Sequence, residues 1–419
     1  MAAEPRLSTT SEGAPGSTAR PGGRILSGPL ALVFLFEFCA LTSFYLLLSV
    51  TPMYAAAVGA GSAGAGLVTG VLLLGTVAAE LAAPVLMRRY GYWAMLATGA
   101  LVLGLPALAL LPGGSLDIIV AVSVVRGLGF GLCTVMTGAL TAVLLPPDRR
   151  GEGLGLFGFV ATAPGIAALP GGVWLAGHAG VSTVVVMAAA TALVPLTVFP
   201  WLAARPGSHR AEAAGASGGR PDGLLGGLRQ PGQLRPFLIF AASTVAAGVV
   251  VSFLPLATGV SGDVAAAGLL VQALTATISR WWAGRRGDRT GHARLLVPAL
   301  AIASLGMLTM IWLASPLAVI GGMGLFGIGF GIAQNATFAL MIERMPPSGL
   351  GTASALWNLA YDAGYGAGPI LFGLLVSHTG YPAAFALTAA LMLAALPAAR
   401  RERSAVASRA RKLHRSFTI

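Results

Sequence analysis

Apolar runs of 18 residues or more follow one another along nearly the whole of this chain, and each is long enough to cross a bilayer. A segment inside hydrocarbon must satisfy its own backbone N–H and C=O groups, which a continuous helix does. Twelve spans can be drawn: 29–54, 62–87, 93–112, 117–145, 152–177, 181–203, 236–259, 263–284, 293–313, 316–343, 349–376 and 381–399. Charged residues make up 10% of the chain, against roughly 25% in a soluble domain. The composition therefore describes an all-α polytopic membrane protein.

The net charge of +12 would suit a nucleic-acid partner if it were clustered on one surface, but it is not. Arginines occupy alternate connections: Arg88 and Arg89, Arg149 and Arg150, Arg205 to Arg235, Arg285 to Arg294, Arg344, and Arg400 to Arg415. The connections near Gly59, Asp117, His178, Asp263, Pro316 and His378 carry no Arg or Lys. This alternation is the positive-inside pattern, and it predicts both termini on the cytoplasmic face of a cell (inner) membrane. Nucleic-acid binding is excluded on the same ground. Cys39 and Cys133 lie within apolar runs and suggest neither a disulfide nor a metal site. His178 and His378 are expected to cap helix ends; with no further ligands beside them, no metal is expected. No nucleophile–base pair and no phosphate loop is present, and the one lysine, Lys412, lies in the tail. An enzyme or an ATP-driven pump is therefore not expected.

A second constraint is an internal repeat. Arg280–Arg294 reads RWWAGRRGDRTGHAR, and 200 residues earlier Glu80–Ala94 reads ELAAPVLMRRYGYWA. Arg89 answers Arg289 and Gly91 answers Gly291, with Arg88 where the second copy has Asp288. The same offset relates Gly129-Phe130-Gly131 to Gly329-Phe330-Gly331, Pro146-Pro147 to Pro346-Pro347, and His178 to His378. A register held over that distance is an internal duplication. It divides the chain into a tail at 1–28, a six-helix bundle at 29–203, a linker at 204–235, a second bundle at 236–399 and a basic tail at 400–419. The linker, rich in Gly, Ala, Pro and Arg, cannot bury a core.

Two like-oriented six-span halves are the arrangement of major facilitator transporters. The resemblance extends to motifs. Gly284, Asp288, Arg289, Gly291 and Arg294 are similar to the superfamily's motif A, normally stronger in the first half; here the first copy has Pro84 and Arg88 in place of the glycine and the acid. Arg126-Gly127-Leu128-Gly129-Phe130-Gly131 resembles motif B. Pro164-Gly165 and Pro170-Gly171-Gly172 resemble the antiporter motif C, and Gly351 to Pro369 looks like helix 11 of bacterial exporters. The resemblance implies a monomer in the bilayer that moves a small molecule by alternating access. It further implies use of the proton gradient rather than a cofactor, and export of an amphipathic drug or metabolite. The alternatives are an importer or facilitator of a polar nutrient, which would need more amides and acids in its cavity, and a membrane receptor or enzyme, which would need a soluble domain or a catalytic cluster.

An ionisable side chain in the bilayer core costs roughly 2.5–3.5 kcal/mol on the insertion scale, so each is a functional candidate. Glu37, Arg126 and Asp362 are the proton-coupling candidates. Glu37 and Arg126 differ in estimated depth by only about 4 Å, which predicts that they pair. The alternative for Arg126 is a tether between helices. Glu80 and Arg280 occupy equivalent places in the two halves and are expected to snorkel or pair locally near the cytoplasmic face. Phe38, Tyr45, Thr137, Gln272, Asn335, Trp357, Asn358 and Tyr361 are candidates to line a central cavity. Gly284, Asp288, Arg289 and Gly291, with Arg88 and Arg89, are the gating candidates. Asp288, placed in the loop after span 8, is expected to dock on the N-terminus of helix 5 when the cytoplasmic side closes, with Arg149 or Arg150 in support. Arg88 is expected to find Glu343.

Overall fold

The computed structural model describes residues 27–111, 113–145, 150–203, 224–230, 232–345 and 349–404. The tails at 1–26 and 405–419, most of the linker (204–223) and Arg149 lie outside them, as does the Arg150 side chain.

Ten stretches are long and apolar enough to cross a membrane, and two of these, 63 and 54 residues long, turn back on themselves at glycines with positive φ. The chain therefore makes twelve spans. In chain order they are α1 (Gly28–Leu48), α2 (Gly61–Tyr90), α3 (Tyr92–Gly104), α4 (Leu116–Leu144), α5 (Arg150–Ala179), α6 (Val181–Ala203), α7 (Leu234–Phe253), α8 (Gly262–Thr290), α9 (Leu296–Thr309) and α10 (Pro316–Glu343). The helical stretch Leu350–Ala394 breaks at Gly380 (φ 75°), giving α11 (350–379) and α12 (381–394). Serine hydroxyls cap α1, α8 and α10: Ser27, Ser261 and Ser315 accept from the N–H three residues on. Such caps satisfy donors that have no intrahelical partner.

The 200-residue offset is visible in three dimensions. Glycines with positive φ end spans at Gly91 and Gly291 and again at Gly180 and Gly380. These are conformations that L side chains rarely adopt. The motif B glycines are packing surfaces. A Cβ on Gly127 would sit 2.0 Å from the Leu72 carbonyl oxygen of α2, and one on Gly129 would sit 2.4 Å from Leu103 N of α3. In the second half Gly327 meets Gln272 of α8 and Gly329 meets Ala299 and Ala303 of α9. Gly131 and Gly331 likewise meet Thr76 and Ala276. Each half thus wedges one glycine-faced helix between two others, with partner residues that also correspond at an offset of 200.

Motif A lies on helices rather than in loops. Span 8 continues past the predicted end at 284, so Asp288 and Arg289 occupy its last turns, and Arg88 and Arg89 do the same on α2. The helices end only where Gly91 and Gly291 donate back to Met87 O (2.9 Å) and Gly287 O (2.7 Å). Basic residues in a last turn complement the negative end of the helix dipole, which explains why the arginine-rich stretches remain helical.

The two halves touch at the arginine-free end and part at the basic end. A Cβ on Gly66 of α2 would lie 2.1 Å from Pro369 O of α11, and one on Gly70 would lie 2.2 Å from the Ile370 side chain. Ser62 Oγ donates to Gly373 O (2.9 Å), Ser49 Oγ to Val251 O (2.7 Å), and Thr69 and Ser252 hydroxyls share a hydrogen bond (3.0 Å). Backbone packed this closely leaves no room for a ligand. Toward the basic end, Phe159 of α5 and Trp281 of α8 are instead 70% and 60% exposed, on the walls of an open cavity.

Candidate functional site

The cavity has two chambers. The outer one, about 770 Å³, lies between α5 and α8 and is lined among others by Phe159, Thr162, Trp281, Gly284, Asp288 and Asn335. The inner one, about 140 Å³, is lined among others by Tyr45, Gly165, Gln272, Phe330, Tyr361 and Tyr365. Thr162, Ile166, Thr277 and Arg280 border both. Of the predicted cavity residues, Tyr45, Gln272 and Tyr361 line the inner chamber and Asn335 the outer.

The other four line neither chamber. Thr137 is fully buried and donates to Glu37 Oε2 at 2.5 Å, because its face of α4 is turned to α1. Trp357 stacks on Phe240 (4.5 Å) and donates to Thr337 Oγ1 (3.2 Å), holding the second half together. Phe38 is exposed elsewhere on α1, and Asn358 is exposed one turn before Asp362. The sequence marks Tyr365 as flanking Asp362 but not as a cavity residue, and it passes over Trp281, next to Arg280. Adjacency to a charged or aromatic candidate was the available signal.

Glu37 and Arg126 do not pair. Arg126 Nη1 donates to Leu103 O (2.7 Å) and Nη2 to Ser43 O (3.0 Å), tying α4 to α3 and α1. Thr137, the partner of Glu37, lies eleven residues along α4 from Arg126, about 16 Å at 1.5 Å per residue. The expected pairing assumed that each helix just spans a core of about 30 Å, whereas α4 has 29 residues and is about 43 Å long. The Leu103 carbonyl is available to Arg126 because α3 tightens into a 3₁₀ turn at Leu105–Leu110, where Pro106 has no N–H to return to it. Glu37→Gln should therefore fail to rescue Arg126→Gln. Losses in unfolding free energy should add within about 0.3–0.5 kcal/mol, as for independent sites; recovery in the double variant would restore the pair.

Glu80 and Asp362 do meet, across the boundary between halves. Their carboxyls lie within reach of each other, with Asp362 buried on α11 and Glu80 half-buried on α2. The antiparallel contacts of Gly70 with Ile370 and of Leu73 with Gly366, continued along both helices, bring this pair together. An ionised carboxylate only accepts, so a hydrogen bond between the two requires a proton on one of them. Local pairing near the basic face, expected for Glu80, is thus replaced by a contact between halves. Its counterpart Arg280 stands in the cavity wall.

At the mouth, Asp288 is 76% exposed and lies 3.7 Å from His292 Nε2; it is not docked on α5, since α5 and α8 stand apart here. His292 Nδ1 holds Glu343 Oε1 at 2.8 Å, so Glu343 is engaged within its own half rather than by Arg88. Arg285 covers the Trp281 ring at 3.9 Å. Of the motif C glycines in α5, Gly165 faces the Tyr45 ring and Gly172 faces Leu46 O, which lets α5 lie close against α1. His178 Nδ1 bonds Trp174 O (2.9 Å) at the end of α5.

The sequence profile described as Major Facilitator Superfamily matches residues 33–369. The chain belongs to the Major Facilitator Superfamily. It is a multi-pass membrane transporter rather than an enzyme. Part of it is 31% identical over 125 residues to the tetracenomycin C resistance and export protein of Streptomyces glaucescens, covering 30% of this chain and 23% of that one. Another match is an uncharacterised MFS-type transporter of Salmonella typhimurium, 31% identical over 115 residues, covering 27% and 29% of the two chains. The chain thus spans less than a third of the length of either relative. Among solved structures, the nucleoside transporter NupG superposes with a TM-score of 0.70 at 13% identity, covering 90% of this chain and 98% of that one. A bacterial homologue of the human lysosomal transporter Spinster superposes with a TM-score of 0.71 at 16% identity, covering 90% and 96%. At these identities the likeness is one of fold.

Proposed function

We propose that this transporter is a proton-coupled exporter of a small amphipathic organic compound, with its basic end in the cytoplasm and its cavity open to that side. The observation that carries the reading is the Glu80–Asp362 contact. It is a proton-holding pair with one member in each of the two bodies that must move apart and together, and Asp362 adjoins Tyr361 of the inner chamber. Export is supported by the resistance and export protein of Streptomyces glaucescens, to which part of the chain is similar, and by the motif C glycines of α5. When the basic end closes, α5 and α8 approach, and Asp288 can leave His292 for the unsatisfied N–H groups that begin α5. That contact would contribute about 0.3–1 kcal/mol to the outward-facing state.

The test uses inverted vesicles with an acid interior and a panel of amphipathic compounds. A transported compound should accumulate inside while the interior loses protons in step. Accumulation that leaves the interior pH unchanged, or protons moving with the compound, would overturn the coupling; uptake in right-side-out cells would overturn the direction.

A further inference from the structure

Arg280 stands at the neck where the two chambers meet. It lies eleven residues before Gly291, about 16 Å up α8 from the basic end. Among the described residues no carboxylate forms an ion pair with it. Glu80 and Asp362 hold each other, and Glu37 is held by Thr137. Asp288, the one acid among the described residues of the cavity wall, sits two turns nearer the mouth beside His292. Arg280 is exposed, so its guanidinium donors face the open cavity and are free to meet an anionic group there. The surroundings of this one are aromatic. Tyr45, Tyr361 and Tyr365 line the inner chamber, while Phe159 and Trp281 present exposed rings in the outer one.

We infer that the ligand is a polycyclic or aromatic amphiphile bearing one acidic oxygen group, a carboxylate or an ionised phenol. The acidic group docks on Arg280, and the ring body fills the outer chamber between Phe159 and Trp281. A guanidinium fork matches an anionic oxygen pair in shape and charge. A chamber of about 770 Å³ takes a drug-sized ring system. A cationic ligand would meet Arg280 and Arg285 on the same wall, opposed among the described residues by Asp288 at the mouth. This inference rests on the reading of the chain as a carrier of amphipathic compounds, and on neither its direction nor its coupling.

The test is equilibrium binding to the purified full chain in detergent, read by quenching of tryptophan fluorescence. The probes share one ring: anthracene-2-carboxylate, its carboxamide and its trimethylammonium analogue. The carboxylate should bind about tenfold or more tighter than the amide, with the cation weakest. Arg280→Gln should remove the advantage of the acid over the amide, and Arg280→Lys should keep part of it. A cation that binds the unaltered protein as tightly as the acid, no binding by any probe, or an acid advantage that survives Arg280→Gln would overturn the inference. Because the order of the three probes on the unaltered protein decides, a variant that fails to fold leaves the test intact. A second arm adds saturating phosphatidylglycerol. The acid should keep its advantage; if the lipid displaces every probe through Arg280, the anion held there is a lipid phosphate and the inference fails. Binding is measured without a gradient, so selective binding alongside absent proton movement in vesicles would overturn the coupling alone.

Discussion

Asp362→Asn should abolish efflux driven by an imposed pH gradient, down to the level of empty vesicles, while exchange of labelled for unlabelled substrate continues. Asparagine nearly preserves the shape and can still hydrogen-bond Glu80, so the contact between α2 and α11 survives. It cannot bind and release a proton, and exchange requires no net proton movement. Glu80→Gln should behave the same way. The double variant should be no worse than either single one, because a shared proton is one function held by two residues. Normal gradient-driven pumping by either variant, with the protein monodisperse, would make the pair a structural hydrogen bond and move the coupling elsewhere, with Glu37 the next candidate.

Gly127→Val should lower stability by an amount at or beyond the upper end of the roughly 1–3 kcal/mol of ordinary overpacking. The new Cβ would lie 2.0 Å from the Leu72 carbonyl oxygen, and the obstacle is helix backbone that cannot rotate out of the way. Gly138 on the same helix has nothing within 4 Å of an added Cβ. Gly138→Ala should therefore raise the melting temperature slightly, by the roughly 0.5–1 kcal/mol that a helix gains on replacing glycine with alanine. Equal responses at the two positions would mean that α4 is not wedged against α2 as described.

Much of the frame was legible. Apolar run length set the number of spans, and the repeat register predicted which glycines would correspond in packing, because backbone contact tolerates no side chain in either half. Which face of a helix meets which neighbour was far less visible. The Glu37–Arg126 pairing assumed that α4 just spans the core, whereas it has 29 residues, and the 3₁₀ turn after α3 frees a carbonyl for the arginine. Asp288 was assigned to a loop because charge suggested an end, although the stopping signal was Gly291, three residues later. Glu80 and Asp362 lie far apart in the chain, and nothing in either local sequence sets their register. The small residues at Gly66, Gly70 and Gly366 marked the helices as close-packing without saying against what.

The exact 200-residue register also records a history. The glycines at 127, 129 and 131 have kept their counterparts at 327, 329 and 331, and even their contact partners correspond. Arg89 and His178, near helix ends, have kept their own kind at 289 and 378, but the ionisable residues deeper in the spans have not. Glu37 corresponds to Phe237, Glu80 to Arg280, Arg126 to Phe326, and Asp362 to Thr162. The glycine frame is common to both halves, while the buried and cavity charges differ, so each half carries its own set. One half now contributes the buried arginine tether and a carboxyl; the other contributes the partner carboxyl and the cavity arginine. Two copies that began interchangeable have become obligate complements, so a chain rebuilt from two first halves or two second halves would inherit the shape of the transporter and lack its chemistry.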